Sequence, residues 1–96
     1  MKLAGLLAFV DIFVESAALD DVVQALTQIP NVEELYEVSG EFDIVTLVSA
    51  ADIEEFRDLL KNKILKIKGV RSTVTSLALH VHKGPRTGNG ARAGAQ

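Results

Sequence analysis

Two hydrophobic periods alternate along this 96-residue chain, and their order limits the fold more tightly than any other feature. Residues 6–15 alternate with period two: Ala8, Val10, Ile12 and Val14 fall on one side of a strand, and Phe9, Asp11, Phe13 and Glu15 on the other. Residues 17–29 switch to helical spacing, with Ala18, Val22, Ala25, Leu26 and Ile29 on one stripe. Ser16 is placed to cap the start of this helix, and Pro30 with Asn31 ends it. Residues 32–39 return to strand spacing, with Val32, Tyr36 and Val38 sharing a side. Gly40 and Glu41 form a tight turn into a third strand over residues 42–49, and Gly40 is free to take a positive φ there. Asp52 caps a second helix, and Glu55 three positions on completes a capping box. The apolar stripe of that helix is Ile53, Phe56, Leu59, Leu60, Ile64 and Ile67, with Gly69 as its stop. Residues 71–82 form a fourth strand, with Thr73, Thr75, Leu77, Leu79 and Val81 alternating against Val74, Ser76, Ala78, His80 and His82.

The resulting order, βαββαβ, predicts an α+β ferredoxin-like sandwich. Right-handed crossovers put both helices on the same face of an antiparallel sheet and leave the other face bare. In a soluble monomer that bare face is polar. Here both sides of the first strand, and much of the third and fourth, are apolar. Phe9, Phe13, Val45, Leu47, Val74 and Ala78 cannot all sit beneath two helices. The excess predicts a sheet-to-sheet homodimer, with larger rings built from it.

Length allows one domain and excludes a two-domain enzyme or a sensor joined to a recognition domain. The domain is expected to span residues 1–83. Residues 84–96 hold four of the seven glycines, two arginines and no large apolar residue, and read as a disordered tail. Ten basic against 13 acidic residues give a net charge of −3, which argues against nucleic acid as the main partner. Lys61, Lys63, Lys66, Lys68 and Arg71 cluster after the acidic first part and read as a solvated face, with docking of an acidic partner as the alternative. The absence of cysteine excludes disulfides, thiolate nucleophiles and Cys-based metal sites. The apolar start is interrupted by Asp11 and Glu15 and is not read as a signal peptide. No run approaches the ~18 apolar residues of a membrane span, so the expectation is a cytoplasmic protein with no membrane partner.

Chemistry-bearing motifs are few. His80 and His82, two apart on a strand, point to one face, but no third metal ligand is placed by the sequence. There is no nucleophile elbow, no phosphate-binding loop and no G-x-G-x-x-G followed by a helix. No cofactor is expected. The informative stretch is Val38-Ser39-Gly40-Glu41-Phe42-Asp43. Asp43 either bonds the turn backbone or serves as a carboxylate at a strand mouth for a cation such as an α-ammonium group, with bare Gly40 admitting ligand atoms closely.

Three stretches together carry a family resemblance: Ile29-Pro30-Asn31-Val32, Ser39-Gly40-Glu41-Phe42-Asp43, and Lys68-Gly69-Val70 followed by Thr73-Val74-Thr75. In this order, and in a βαββαβ frame, the chain resembles the effector-binding (RAM) domain of the Lrp/AsnC regulators from about Ala8 to His82. The resemblance implies dimers formed through the sheets, closed rings of dimers, and an amino acid or similar effector bound between dimers. By motif, Gly40 and Asp43 touch the ligand, with Asp43 on its ammonium group. Tyr36 lines the pocket, Thr75, Ser76 and Leu77 read the ligand's other end, and Ile53 contributes to the contact between dimers. Met1 lies only a few residues ahead of the first strand, so the chain resembles stand-alone members without a helix-turn-helix. Direct DNA binding is therefore not expected, and a full-length Lrp/AsnC regulator is a candidate partner.

The leading expectation is thus a non-enzymatic, amino-acid-binding regulatory module. The alternative is a cofactor-free ferredoxin-like enzyme of the dimeric α/β-barrel kind, a monooxygenase or isomerase using His80, Asp11 and Tyr36. A ring-forming scaffold with a vestigial pocket is a third reading. Asp11 has no account at this level, since a carboxylate between Phe9 and Phe13 is costly if buried without a partner.

Overall fold

The computed structural model of the protein describes residues 5–85. Its elements are β1 (Leu6–Val14), a 3₁₀ turn (Ser16–Ala18), α1 (Leu19–Thr27), β2 (Val32–Glu37) and β3 (Ile44–Ala50), then α2 (Ile53–Leu59), a π-helical turn (Leu60–Ile64) and β4 (Val70–Leu77). The four strands form one antiparallel sheet in the order β2-β3-β1-β4. This is the ferredoxin-like arrangement that the two periodicities predict.

Strand β1 lies inside the sheet, and its alternation decides what each face is. Ala8, Val10, Ile12 and Val14 are buried beneath the helices, together with Ile44 and Val48 of β3. Val22 and Leu26 from α1, Phe56 and Leu59 from α2, and Ile64 from the π turn close the core. Thr46 is buried among them, and its hydroxyl donates to the Val10 carbonyl at 3.1 Å, so its polar atom is not stranded there.

Asp52 caps α2 as predicted, but Glu55 reaches one residue further back than a capping box requires. The Asp52 side chain accepts the Glu55 amide at 2.9 Å, and the Glu55 carboxylate accepts the Ala51 amide and the Asn31 side chain. Gly69 carries φ +104°, and a Cβ there would run into the Ala18 side chain of the 3₁₀ turn and crowd Val22 of α1, so the stop is also a close packing point.

Several expectations are corrected. Ser16 does not cap α1; it sits in the 3₁₀ turn, and Ala18 precedes the helix without a side-chain bond. Asp20 and Asp21 in the first turn complement the helix dipole instead. Val32 and Tyr36 do not share a side. A bulge between Val32 and Glu34 shifts the register, so Val32 packs on the core while Tyr36 faces outward opposite Val45. Ile53 opens α2 and is 52% exposed, outside the buried stripe. The fourth strand ends at Leu77, not at residue 82, and its pairing with β1 closes with Ala78 donating to the Leu7 carbonyl. The proposed tail beyond Pro85 lies outside the described residues.

Candidate functional site

The β2–β3 hairpin is pinned to the end of β1 by Asp43. Its backbone amide donates to the Ile12 carbonyl at 3.1 Å, its carbonyl accepts the Val38 amide at 3.0 Å, and its Oδ2 accepts the Val14 amide at 2.9 Å. The half-buried carboxylate thus satisfies a backbone donor through Oδ2, which holds it in one orientation. Phe42 packs its ring on Phe13 at 4.7 Å between centroids, which ties the other side of the loop to the sheet. The connection is wider than a two-residue turn, since Val38 and Asp43 close it. Gly40 takes φ +137°, and a Cβ built there would have no atom within 4 Å. Its backbone is therefore open to approach from outside.

Tyr36 stands on the outer face beside this hairpin. Its hydroxyl donates to Glu34 Oε1 at 2.9 Å. That hydrogen bond, then the negative charge of Glu34, raises the tyrosine pKa above its usual 10.0. Glu34 escaped the sequence reading. The signal was present, because residues two apart on a strand share a side.

Thr75, Ser76 and Leu77 lie elsewhere. On β4 they pair with Val10, Phe9 and Ala8, so Thr75 and Leu77 share the helix side and Ser76 the outer side. Strand geometry separates Tyr36 from Asp43 by about 8 Å, but Asp43 from Ser76 by about 16 Å, across two strand spacings. One copy of the chain therefore assembles Tyr36, Gly40 and Asp43 at one corner and places Thr75, Ser76 and Leu77 on the opposite edge strand.

The catalytic alternative gains nothing from the geometry. Asp11 and Tyr36 are separated by Val45 on the outer face, and His80 lies beyond the end of β4. The rings of His80 and His82 meet edge to face at 4.6 Å between centroids. Among the described residues no three potential ligands gather to hold a metal ion. Lys61, Lys63, Lys66, Lys68 and Arg71 are all exposed. A shallow depression of about 250 Å³ on the solvent side of α2 is lined by Glu54, Arg57, Asp58, Lys61 and Asn62, none of them a predicted ligand residue. Among the described residues no helix is long and apolar enough to cross a membrane.

Residues 7–87 match the family described as the Lrp/AsnC ligand binding domain. The chain belongs to this family. Its Lrp/AsnC fold superposes on a structure from Thermus thermophilus with a TM-score of 0.77 and 34% identity, over 82% of this chain and 99% of that one. A feast or famine regulatory protein from M. tuberculosis, complexed with L-methionine, gives a TM-score of 0.73 at 34% identity over 85% of this chain and 55% of its own. An uncharacterised HTH-type transcriptional regulator of Pyrococcus abyssi is 37% identical over 78 residues, 81% of this chain. The chain spans about half of that regulator, 49% of its length. A shorter match, 45% over 58 residues, falls within 12% of a homocitrate synthase from Sulfurisphaera tokodaii. The curated relative matched over most of this chain is thus a regulator, and the match to an enzyme is to a small part of it.

Proposed function

We propose that this Lrp/AsnC domain is an amino-acid-responsive regulatory module that binds its effector where copies of the chain meet. The observation that carries this reading is the Gly40–Asp43 hairpin, set within a match to a ligand-binding family over residues 7–87. The Val14 amide fixes Asp43 Oδ2 and so presents Oδ1 to an ammonium group without a search through rotamers. Open Gly40 admits the ligand's own backbone, and Tyr36 closes the outer side of the mouth.

Thr75, Ser76 and Leu77 are too far from Asp43 in one copy to contact the same small molecule. In the proposed assembly they come from a neighbouring copy, with dimers formed through the bare sheet faces and joined into a ring. Exposed Ile53 contributes to the contact between dimers. An effector bound between copies favours the assembled state by its differential affinity for that state, and this coupling is the signal. The proposed output is co-assembly with a full-length relative that supplies the DNA reader. The methionine complex of the mycobacterial relative supports an amino acid as the ligand class.

The test is a thermal-shift panel of the common amino acids on the parent and on Asp43→Asn. The asparagine keeps an oxygen for the Val14 amide and removes the charge. A ligand at 100 times its Kd adds about 2.7 kcal/mol to the folded state, a readily measured rise in midpoint. A selective rise in the parent that disappears in Asp43→Asn is expected. No rise at millimolar concentrations, or an equal rise in both proteins, would overturn the reading.

A further inference from the structure

The outer face of the sheet carries a feature that ligand binding does not use. Along β1 the side chains on this face are Phe9, Asp11 and Phe13, and across from Asp11 the register places Val45 on β3 and Val74 on β4. Asp11 therefore sits at the middle of an interior strand with apolar side chains on all four neighbouring positions. Phe9 and Val74 are 45% and 48% exposed, so the apolar ring is open to solvent, and the partly exposed Asp11 is its only ionisable member. Among the described residues, the other charged or titratable groups at this face are Glu34 and Tyr36 on β2 beyond β3, and Glu33, whose carboxylate accepts the Ser49 hydroxyl. Among the described residues no lysine or arginine stands on the paired rows of this face.

The face is large enough to hold a partner of its own kind. Four strands about 4.8 Å apart and some seven residues at about 3.3 Å give roughly 19 by 23 Å. In plan that is roughly 440 Å², about half of the ~800 Å² per partner buried in a stable complex, and the relief of the side chains adds to it. A two-fold contact that covers the whole face has its axis near the face centre, close to Asp11. Each Asp11 then meets either its own counterpart or the counterpart's apolar ring. In both arrangements a carboxylate loses water and gains no cation, which is unfavourable for the ionised side chain.

We propose that, when the bare face closes on a second copy of this chain, Asp11 is the residue that weakens the self-contact and leaves it exchangeable. The inference rests on the sheet-to-sheet pairing proposed above and adds what sets its strength. Phe9, Val74 and the half-buried Val45 supply the attraction. Asp11 opposes it from the centre, where a hydrogen-bond donor on a chain of the same fold would meet it better than a second carboxylate does.

Sedimentation equilibrium on the full chain at neutral pH and moderate salt tests this, with the parent, Asp11→Asn, Glu34→Gln and Phe9→Asn measured side by side. Asp11→Asn is nearly isosteric and lies outside the core, and circular dichroism verifies its fold. It is expected to tighten the dimer at least about tenfold, the size of effect that relief of a desolvated charge produces. Glu34→Gln changes the same net charge from the side of the face and is expected to tighten it less than about threefold. Phe9→Asn is expected to dissociate it. An Asp11→Asn dimer no tighter than the parent's, or a gain matched by Glu34→Gln, overturns the role of Asp11 and leaves the sheet pairing standing. A dimer indifferent to Phe9→Asn, or a parent and Asp11→Asn that both remain monomeric, overturns the pairing and the inference together.

Discussion

At Gly69 two demands meet on one residue: a positive φ and contact with the Ala18 side chain. Gly40 meets only the first, since open space surrounds it. Gly69→Ala is therefore expected to cost about 3 kcal/mol, strain plus overpacking, and Gly40→Ala about 1 kcal/mol, strain alone. Urea denaturation of the two variants checks the ratio. Asp43 has a structural duty as well as its proposed one, because it satisfies the Val14 amide. Asp43→Ala orphans that donor and is expected to lower stability by about 1–2 kcal/mol, whereas Asp43→Asn costs less than about 1. At Tyr36, the hydrogen bond to Glu34 and then the charge of Glu34 hold the phenol in its neutral form to a pH above the usual 10.0. The folded-state value is raised, so the associated stability is fully present below the ordinary tyrosine value and lost as pH climbs through the raised one. The chain holds a single tyrosine, so an ultraviolet titration reads it directly. Glu34→Gln is expected to move that titration down toward the ordinary position. Asp43 was legible as a candidate because a carboxylate after a glycine turn has few other uses. Its bond to Val14 was not, since residues 29 apart in sequence meet only through the β1–β3 pairing.

The elements themselves were legible from period and punctuation; their ends were not. β4 stops at Leu77, opposite Ala8 of β1, and the alternation along residues 71–82 runs on past that point without marking it. The bulge in β2 inverts one side of the strand, and nothing in the run Val32-Glu33-Glu34-Leu35-Tyr36 announces it. The π-helical turn at Leu60–Ile64 continues the apolar stripe after α2 through a wider coil, with Leu65 donating to Leu60 at 2.8 Å, so a 3.6-residue count reads through it without a break. The cap of α2 was predictable because Asp52 and Glu55 act locally. Asp52→Ala is expected to lower stability by about 1 kcal/mol. Thermal unfolding of that variant beside Ser16→Ala, where no cap is lost, checks the contrast, and the serine variant is expected to match the parent.

At the scale of the molecule, the outward Phe9, Val45 and Val74 show why the apolar content of β1, β3 and β4 exceeds what two helices cover. The sequence could count this excess but could not place Asp11 inside it, because that required the register of three strands. If the face closes on a second copy, the unfolding midpoint rises with protein concentration. Calorimetry over a hundredfold range is expected to show this rise, and Phe9→Asn to abolish it. The strand order has a further consequence, at the moment of synthesis. β1 is translated ahead of the other strands, yet its two neighbours are β3, starting at Ile44, and β4, whose Leu77 pairs with Ala8. The interior strand of the sheet thus emerges from the ribosome with both of its edges vacant, and one edge stays vacant until roughly seventy further residues have been made. During that interval the apolar stretch from Leu6 to Val14 has no partner for one of its edges, so the order in which the strands are read out sets how long that edge is open to other chains.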